Sequence, residues 1–446
     1  MTKQRDFKAL VRERMDKTGE RYTAARAQLL GKASALSPTP NAFPGVLAGY
    51  DTFGGIQSGT AALRNTLASM GSVSAIDGAP FTESLVNGLC GGPGFLYAVF
   101  EYKGWPPMLS LALRSRSMPD VYIAAGLSRI GMKVTTSETT SPAAARKALD
   151  AVLAEGKAAL CVTDAASLPW TGLPKAFVGG GPHVVAVAGR DGDDFWIDDR
   201  AARPRRLSAA QLSAARVAYR HAKNRLMRLD GPKPGYDARR ALRDAIADTA
   251  KCYVEPAVPK SFWVNCGFSG LDKWRQMLVD PKDKRGWPTF FAEGARACAG
   301  LQRLHESIEC QSAPQAGRSL YADFLEDAAR TLAAPQLAKA AATYREAGVL
   351  WASIGDMVAN CDDAAVQKAC GLADERLEAE ESDDGGSQAT PKTCAERGQE
   401  LQNVAAGCKL SKSDAGALYA DIASVVGRIA DAERAAVDLI NAALKK

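Results

Sequence analysis

The feature that most restricts this chain is a change of texture near residue 235. From there onward, Ala-rich segments with Leu at helical spacing follow one another over 237–252, 290–309, 318–331, 334–358, 362–380, 393–407 and 413–444, with no strand-like pattern between them. This predicts an all-α unit over 233–446. The preceding part, 46–232, is mixed. Apolar runs at 158–163, 183–188 and 195–197 read as strands, the last two joined by the turn Gly189-Arg190-Asp191-Gly192-Asp193-Asp194. Helical runs at 60–70 and 142–155 lie among them, and Ser208 is placed to cap another helix. The predicted fold class is α+β followed by all-α.

Residues 1–45 read as a helical arm and linker. Phe7, Leu10, Val11 and Met15 recur at helical spacing, and Ser37-Pro38-Thr39-Pro40 then reads as extended chain. An arm packed on its own globule is favoured over one that docks a partner, because periodicity shows only an apolar face. The stretch 378–390, acidic and then small and polar, reads as a solvated surface loop.

Composition excludes several function classes. With 46% hydrophobic and 24% charged residues among 446, the chain has material for real cores. No run approaches the roughly 18 consecutive apolar residues of a membrane helix. The net charge of +6, from 56 basic and 50 acidic residues, is mild, and Arg203, Arg205 and Arg206 make too short a cluster for nucleic acid. The first residues carry no apolar signal-like stretch, so a cytoplasmic protein is expected, its ten cysteines mostly reduced thiols. No CxxC pair occurs and there are three histidines, so neither a metal nor a cofactor is expected. Nothing in the sequence sets the oligomeric state.

A candidate catalytic constellation emerges from three separated segments. In Gly54-Gly55-Ile56-Gln57-Ser58-Gly59-Thr60, Ser58 falls where a glycine-rich turn becomes a helix. A nucleophile there meets the positive end of the helix dipole and free N–H groups able to bind an oxyanion. The competing structural role is that of helix N-cap. His183 opens a strand, and the next strand runs into Asp198-Asp199. Alternation puts Phe195, Ile197 and Asp199 on one face, which a hairpin sets beside His183, so Asp199 is the expected orienter of the imidazole. Asp198 takes that place if the register slips. The plainer alternatives are a structural histidine and a strand-end turn.

At this point the chain resembles papain-like cysteine enzymes in the order nucleophile, histidine, acid. More closely it is similar to the family of the butirosin-biosynthesis protein H, whose N-terminal domain is papain-like and related to bacteriocin-processing peptidases. The motifs are QSGTAALRN at 57–65, FTESLVNGLCGGPGFLY at 81–97, a strand ending in Asp164 followed by Leu168-Pro169-Trp170, GPHVVAVAGRDGD at 181–193 and WIDDR at 196–200. In the helical half, NCGFSGLDKWRQML at 265–278 and SLYADFLEDAA at 319–328 match the C-terminal domain commonly joined to it. The resemblance implies acyl transfer, with an acyl carrier protein or a small-molecule amine as partner.

The departure is at the centre, where relatives usually read His-Cys and this chain has Gln57-Ser58. A hydroxyl must lose its proton during attack, whereas a thiol is already partly ionised near neutral pH. Three readings stand: a Ser58-His183-Asp199 triad, a binding domain without the chemistry, or a serine substituted for a native cysteine. A peptidase or amidase-type hydrolase is the further alternative for an active site. Gln57, Glu83, Asp164 and Trp170 are candidate substrate-binding residues. Gln57 could donate an amide to an oxyanion, and Glu83 could anchor a loop or bind an amine. Cys90 and Cys161 read as core, and Gly91, Gly92 and Gly94 as tight packing.

Overall fold

The computed structural model describes residues 43–51, 54–101, 107–173, 175–201, 203–311, 313–381 and 403–445, with isolated positions between 13 and 29 and between 396 and 401. Most of the expected N-terminal arm, residues 382–390 of the expected loop and residues 393–395, 397, 398 and 402 of the segment 393–407 lie outside the described residues.

The mixed part is three layers deep. Its centre is a six-stranded antiparallel sheet in the order β3-β8-β4-β5-β6-β7, formed by β3 (Met132–Ser137), β4 (Ala159–Asp164), β5 (Pro182–Asp191), β6 (Asp194–Asp198), β7 (Arg205–Ser208) and β8 (Leu226–Pro232). The central strand β5 is apolar on both faces, as burial between two layers requires. Val184, Ala186 and Ala188 pack against Leu63 and Leu67 of α1 (Ser58–Ser69) and Ile123 and Leu127 of α3 (Pro119–Arg129). Val185 and Val187 pack on the other side against Leu149 of α4 (Pro142–Ala154) and Leu212 of α5 (Ala209–Ala218). Two of these helices start where local chemistry says they should. Ser141 caps α4 ahead of Pro142, and Ser208 forms a reciprocal capping box with Gln211 on α5.

A second, two-stranded ribbon, β1 (Pro93–Phe100) and β2 (Met108–Arg114), lies apart from the main sheet and is absent from the predicted strands. Its alternating Phe95, Tyr97, Val99, Leu109, Leu111 and Leu113 are buried among helices of the C-terminal part, so its strand pattern becomes meaningful only with that cover.

Beyond β8 the described chain is helical, as expected. The main helices are α6 (Ala238–Cys252), α7 (Gly267–Val279), α8 (Gly294–Glu306), α9 (Arg318–Leu332), α10 (Pro335–Ala359), α11 (Ala364–Glu381) and α12 (Lys412–Leu444). They close directly on the mixed part. A Cβ on Gly88, in α2 (Glu83–Leu89), would lie 2.1 Å from the Phe324 ring, and one on Gly92 would lie 2.3 Å from the Tyr321 ring. The glycine-rich segment thus permits helix α9 to approach, which agrees with the packing reading of Gly92.

Arg318 makes a buried polar tie between the two parts. Fully buried, it donates to Glu433 Oε1 on α12 (2.8 Å) and to the carbonyls of Gly94, Leu113 and Ala316, while Trp351 Nε1 and Tyr253 Oη donate to the same carboxylate. Such a pair holds only because its donors and acceptors are satisfied.

The expected surface loop needs one correction. Residues 378–381 are helical and finish α11, and Glu380 is 9% exposed. The acidic composition that suggested solvent is met instead by arginines of the mixed part. Among the described residues no helix is long and apolar enough to cross a membrane.

Candidate functional site

The site forms at the end of the sheet where β5 begins and β6 ends. The β5–β6 hairpin brings His183 and Asp199 together, with His183 Nε2 2.9 Å from Asp199 Oδ2. Trp170 Nε1 donates to the same oxygen at 2.7 Å. Asp199 is fully buried, whereas the His183 side chain is 16% exposed and can meet a molecule from outside.

Electrostatics sharpen the arrangement. Burial alone would raise the Asp199 carboxyl, but the His183 imidazole, the Arg205 guanidinium and the Trp170 indole outweigh it and hold the acid below the usual carboxylate range. Burial alone would lower the His183 imidazole, and the Asp199 charge and hydrogen bond overcome that, so its pKa is raised. An ionised Asp199 has no proton to give, so the hydrogen in the pair belongs to Nε2. The neutral ring then carries its basic lone pair on Nδ1, which makes no hydrogen bond among the described residues.

Asp198 points elsewhere. Its Oδ2 accepts from Tyr50 Oη and Asn65 Nδ2, each at 2.8 Å, tying the end of β6 to α1. Burial pushes its carboxyl up to about 7 against the lowering effect of those two hydrogen bonds.

Ser58 is the first residue of α1, and Gln57, not Ser58, is the N-cap. No side chain caps this helix, so the first-turn N–H groups of Ser58 and Gly59 have no intrahelical acceptor. The Ser58 hydroxyl makes no hydrogen bond to His183 or to another described residue. The alternation of β5 explains the gap: α1 lies over the Val184 face, whereas His183 belongs to the Val185 face. Helix and imidazole can therefore meet only beyond the sheet end. Tyr122 stands in that region. Its hydroxyl lies 3.1 Å from where a Gly59 Cβ would be, and its phenol, pushed up to about 12 chiefly by burial, also feels the Asp199 charge.

The other candidates separate into distinct roles. Glu83 accepts from the backbone N–H groups of Ile56 (2.8 Å) and Gln57 (2.8 Å), the anchoring arrangement of the two foreseen for it. Gln57 Oε1 accepts from Asn87 Nδ2 and Arg114 Nη1, each at 2.6 Å, which fixes the amide and leaves its Nε2 without a partner among the described residues. Asp164 accepts from Ser167 Oγ and Gly179 N–H, both at 2.8 Å, and so braces the loop after β4. Trp170 orients Asp199 and has the Arg205 guanidinium 4.9 Å from its ring.

Sequence reasoning missed Arg114, Asn87, Tyr122 and Glu380. Asn87 lies inside one of the quoted motifs, but nothing in its spacing marks it. Arg114 reaches the site from β2, in the unpredicted ribbon. Glu380 arrives from α11, where its carboxylate meets Arg200 at 3.3 Å and its carbonyl accepts from Arg205. The helical part thereby contributes to the surroundings of His183. Cys90 and Cys161 are fully buried, with the Cys90 thiol pushed up to about 12 by burial, and neither is a reactive thiolate.

This geometry describes a mixed α+β chain with a helical C-terminal part and a buried acid–histidine pair at the sheet end. Comparison with known families places it further: residues 59–200 match the family model described as Butirosin biosynthesis protein H, N-terminal, and residues 207–384 match Domain of unknown function (DUF4872). The chain belongs to the butirosin-biosynthesis protein H-like family. No curated protein matches it. The first match ends just after β6 and the second begins within β7, so the sheet itself is shared between the regions they cover.

Proposed function

We propose that the chain is a papain-like acyltransferase of specialised-metabolite biosynthesis. The Ser58 hydroxyl attacks an acyl thioester or ester, and His183 Nδ1 takes the hydroxyl proton. Asp199 holds the imidazole and stabilises the imidazolium that forms. The tetrahedral oxyanion is met by the first-turn N–H groups of α1 and by Gln57 Nε2. Collapse expels the thiol or alcohol, which receives the proton from His183, and an amine then accepts the acyl group, or water in a hydrolase. The single observation carrying this reading is the His183–Asp199 hydrogen bond through Nε2, which presents the opposite ring nitrogen as the base. An acyl carrier protein is the proposed donor.

A second reading has a specific observation in its favour. The Ser58 hydroxyl has no hydrogen bond to the imidazole, as in a binding protein that retains the cleft without the chemistry. Intact-mass measurement after incubation with a panel of acyl thioesters separates the two. An acyl adduct on the unaltered chain that disappears in Ser58→Ala supports the transferase. An adduct seen only in Ser58→Cys shows that the serine is inert, and absence in all three variants removes acyl transfer.

A further inference from the structure

A second group of chemically capable side chains lies in the helical part, and the acyl-transfer reading makes no use of it. His305, near the end of α8, Cys310, on the turn that follows, and Asp374, on α11, place one donor atom each within 4.8 Å of one another. His305 Nε2 is 2.8 Å from Asp374 Oδ1, and Cys310 Sγ is 3.8 Å from the same oxygen. We propose that these three residues bind a divalent transition-metal ion of the zinc class.

The local backbone is the independent sign. His305 and Cys310 are five positions apart, and on a regular α-helix such positions stand about 140° apart around the axis, on different faces. Residues Ser307–Gln311 instead form a π-helical turn. Its i→i+5 bonding carries Cys310 round towards the face that holds His305. Turns of this kind are rare in helices and recur at functional sites.

The donors suit the ion. Nitrogen, sulfur and carboxylate oxygen are the three ligand types zinc takes, at about 2.0–2.3 Å, so tetrahedral ligand atoms stand roughly 3.3–3.5 Å apart. The separations of 2.8 and 3.8 Å bracket that spacing. On binding, the proton of the Cys310 thiol leaves to solvent, and Nε2 of a neutral His305 ring that carries its hydrogen on Nδ1 meets the ion in place of Asp374. Thiolate and carboxylate then balance the two positive charges. The neighbouring Glu306 is already engaged by Arg303 (3.0 Å) and Arg376 (2.7 Å). His305 is fully buried and Cys310 nearly so, while the Asp374 side chain is 25% exposed and gives the route of entry.

The location gives such an ion a structural effect. Cys310 offers its carbonyl to Arg200 Nη1 at 3.4 Å, and Arg200 also meets Glu380 beside His183. An ion joining α8, its π-turn and α11 would fix the helical wall of the sheet-end site.

The test is a titration of the full chain with Co2+, after treatment with chelator and under a phosphine reductant. Saturation at one equivalent is expected, with thiolate-to-metal charge-transfer absorption in the near-ultraviolet that Zn2+ displaces. Cys310→Ser should abolish that absorption, and Asp374→Asn should keep it while weakening binding on the order of tenfold or more. Absence of stoichiometric binding, or an absorption that survives Cys310→Ser, overturns the proposal. Should Cys310→Ser fail to fold by circular dichroism, unchanged affinity in the more exposed Asp374→Asn variant overturns it equally.

Discussion

Asp198 and Asp199 are consecutive in the chain and serve opposite sides of the same sheet end. Asp199 accepts from His183 and Trp170, whereas Asp198 accepts from Tyr50 and Asn65. The pleat sends neighbouring side chains to opposite faces, and the two carboxyls acquire opposite properties. One is held ionised beside a histidine. The other is pushed up to about 7 by burial.

Asp198 makes stability depend on pH in a defined direction. The native state keeps a proton up to about 7, while the unfolded chain releases it near its ordinary value of about 3.9. Its contribution is present below about 4, falls as pH rises to about 7 and is level above that. Asp198→Asn removes this pH dependence. Urea unfolding should show the variant gaining on the wild type by on the order of 3 kcal/mol between pH 5 and pH 8. A difference that stays flat over that interval contradicts the assignment.

Asp199→Asn should move His183 the other way. With the carboxylate gone, burial dominates and the imidazole pKa falls from its raised value to below the ordinary 6.5. The wild-type histidine stabilises the fold fully below about 6.5, and that contribution is lost as pH rises through its raised folded value. The Asp199 contribution is present above about 4 and lost as pH falls through its depressed folded value. Ring-proton NMR over the three histidines reads the shift directly. An unmoved His183 midpoint would refute the pairing.

Glu83→Gln tests the helix anchor. The variant retains an acceptor for Ile56 or Gln57 but loses the negative charge at the α1 N-terminus. A loss of about 1–2 kcal/mol in denaturant unfolding is expected. A neutral result would mean that water can replace the carboxylate there.

Glu433→Gln should be the costliest of these substitutions. It leaves the fully buried Arg318 guanidinium without its counter-charge, at about 3–5 kcal/mol. Chemical unfolding of the single variant and of Arg318→Met with Glu433→Gln measures it. The double variant should recover part of the loss. If it is no better than the single one, the charge imbalance is not the cause.

Legibility in the sequence followed contact range. The strands β4, β5 and β6 and most long helices were readable because each carries its period within a dozen residues. The Ser208 cap was readable for the same reason. The ribbon β1–β2 was not, since its cover comes from helices some 170 residues or more downstream. The 378–381 segment misled because acidic composition suggests solvent unless arginines from distant segments, such as Arg200, are known to wait for it. Among the site residues, the His183–Asp199 pairing followed from a local hairpin, while Arg114, Tyr122 and Glu380 had no local signature.

By itself, then, the amino-acid order determined the mixed-then-helical division, the hairpin that joins an imidazole to a carboxylate, and a small hydroxyl residue at the start of a helix. These depend on period, turn chemistry and alternation, which act between near neighbours. Only the tertiary structure decided that Asp198 is sealed under α1 against Tyr50 and Asn65, how the glutamine amide is oriented, and that Glu380 of the helical part reaches the site. Those outcomes depend on which distant groups share a buried space, where an unmatched charge or hydrogen bond is too costly to leave, and no local pattern encodes that.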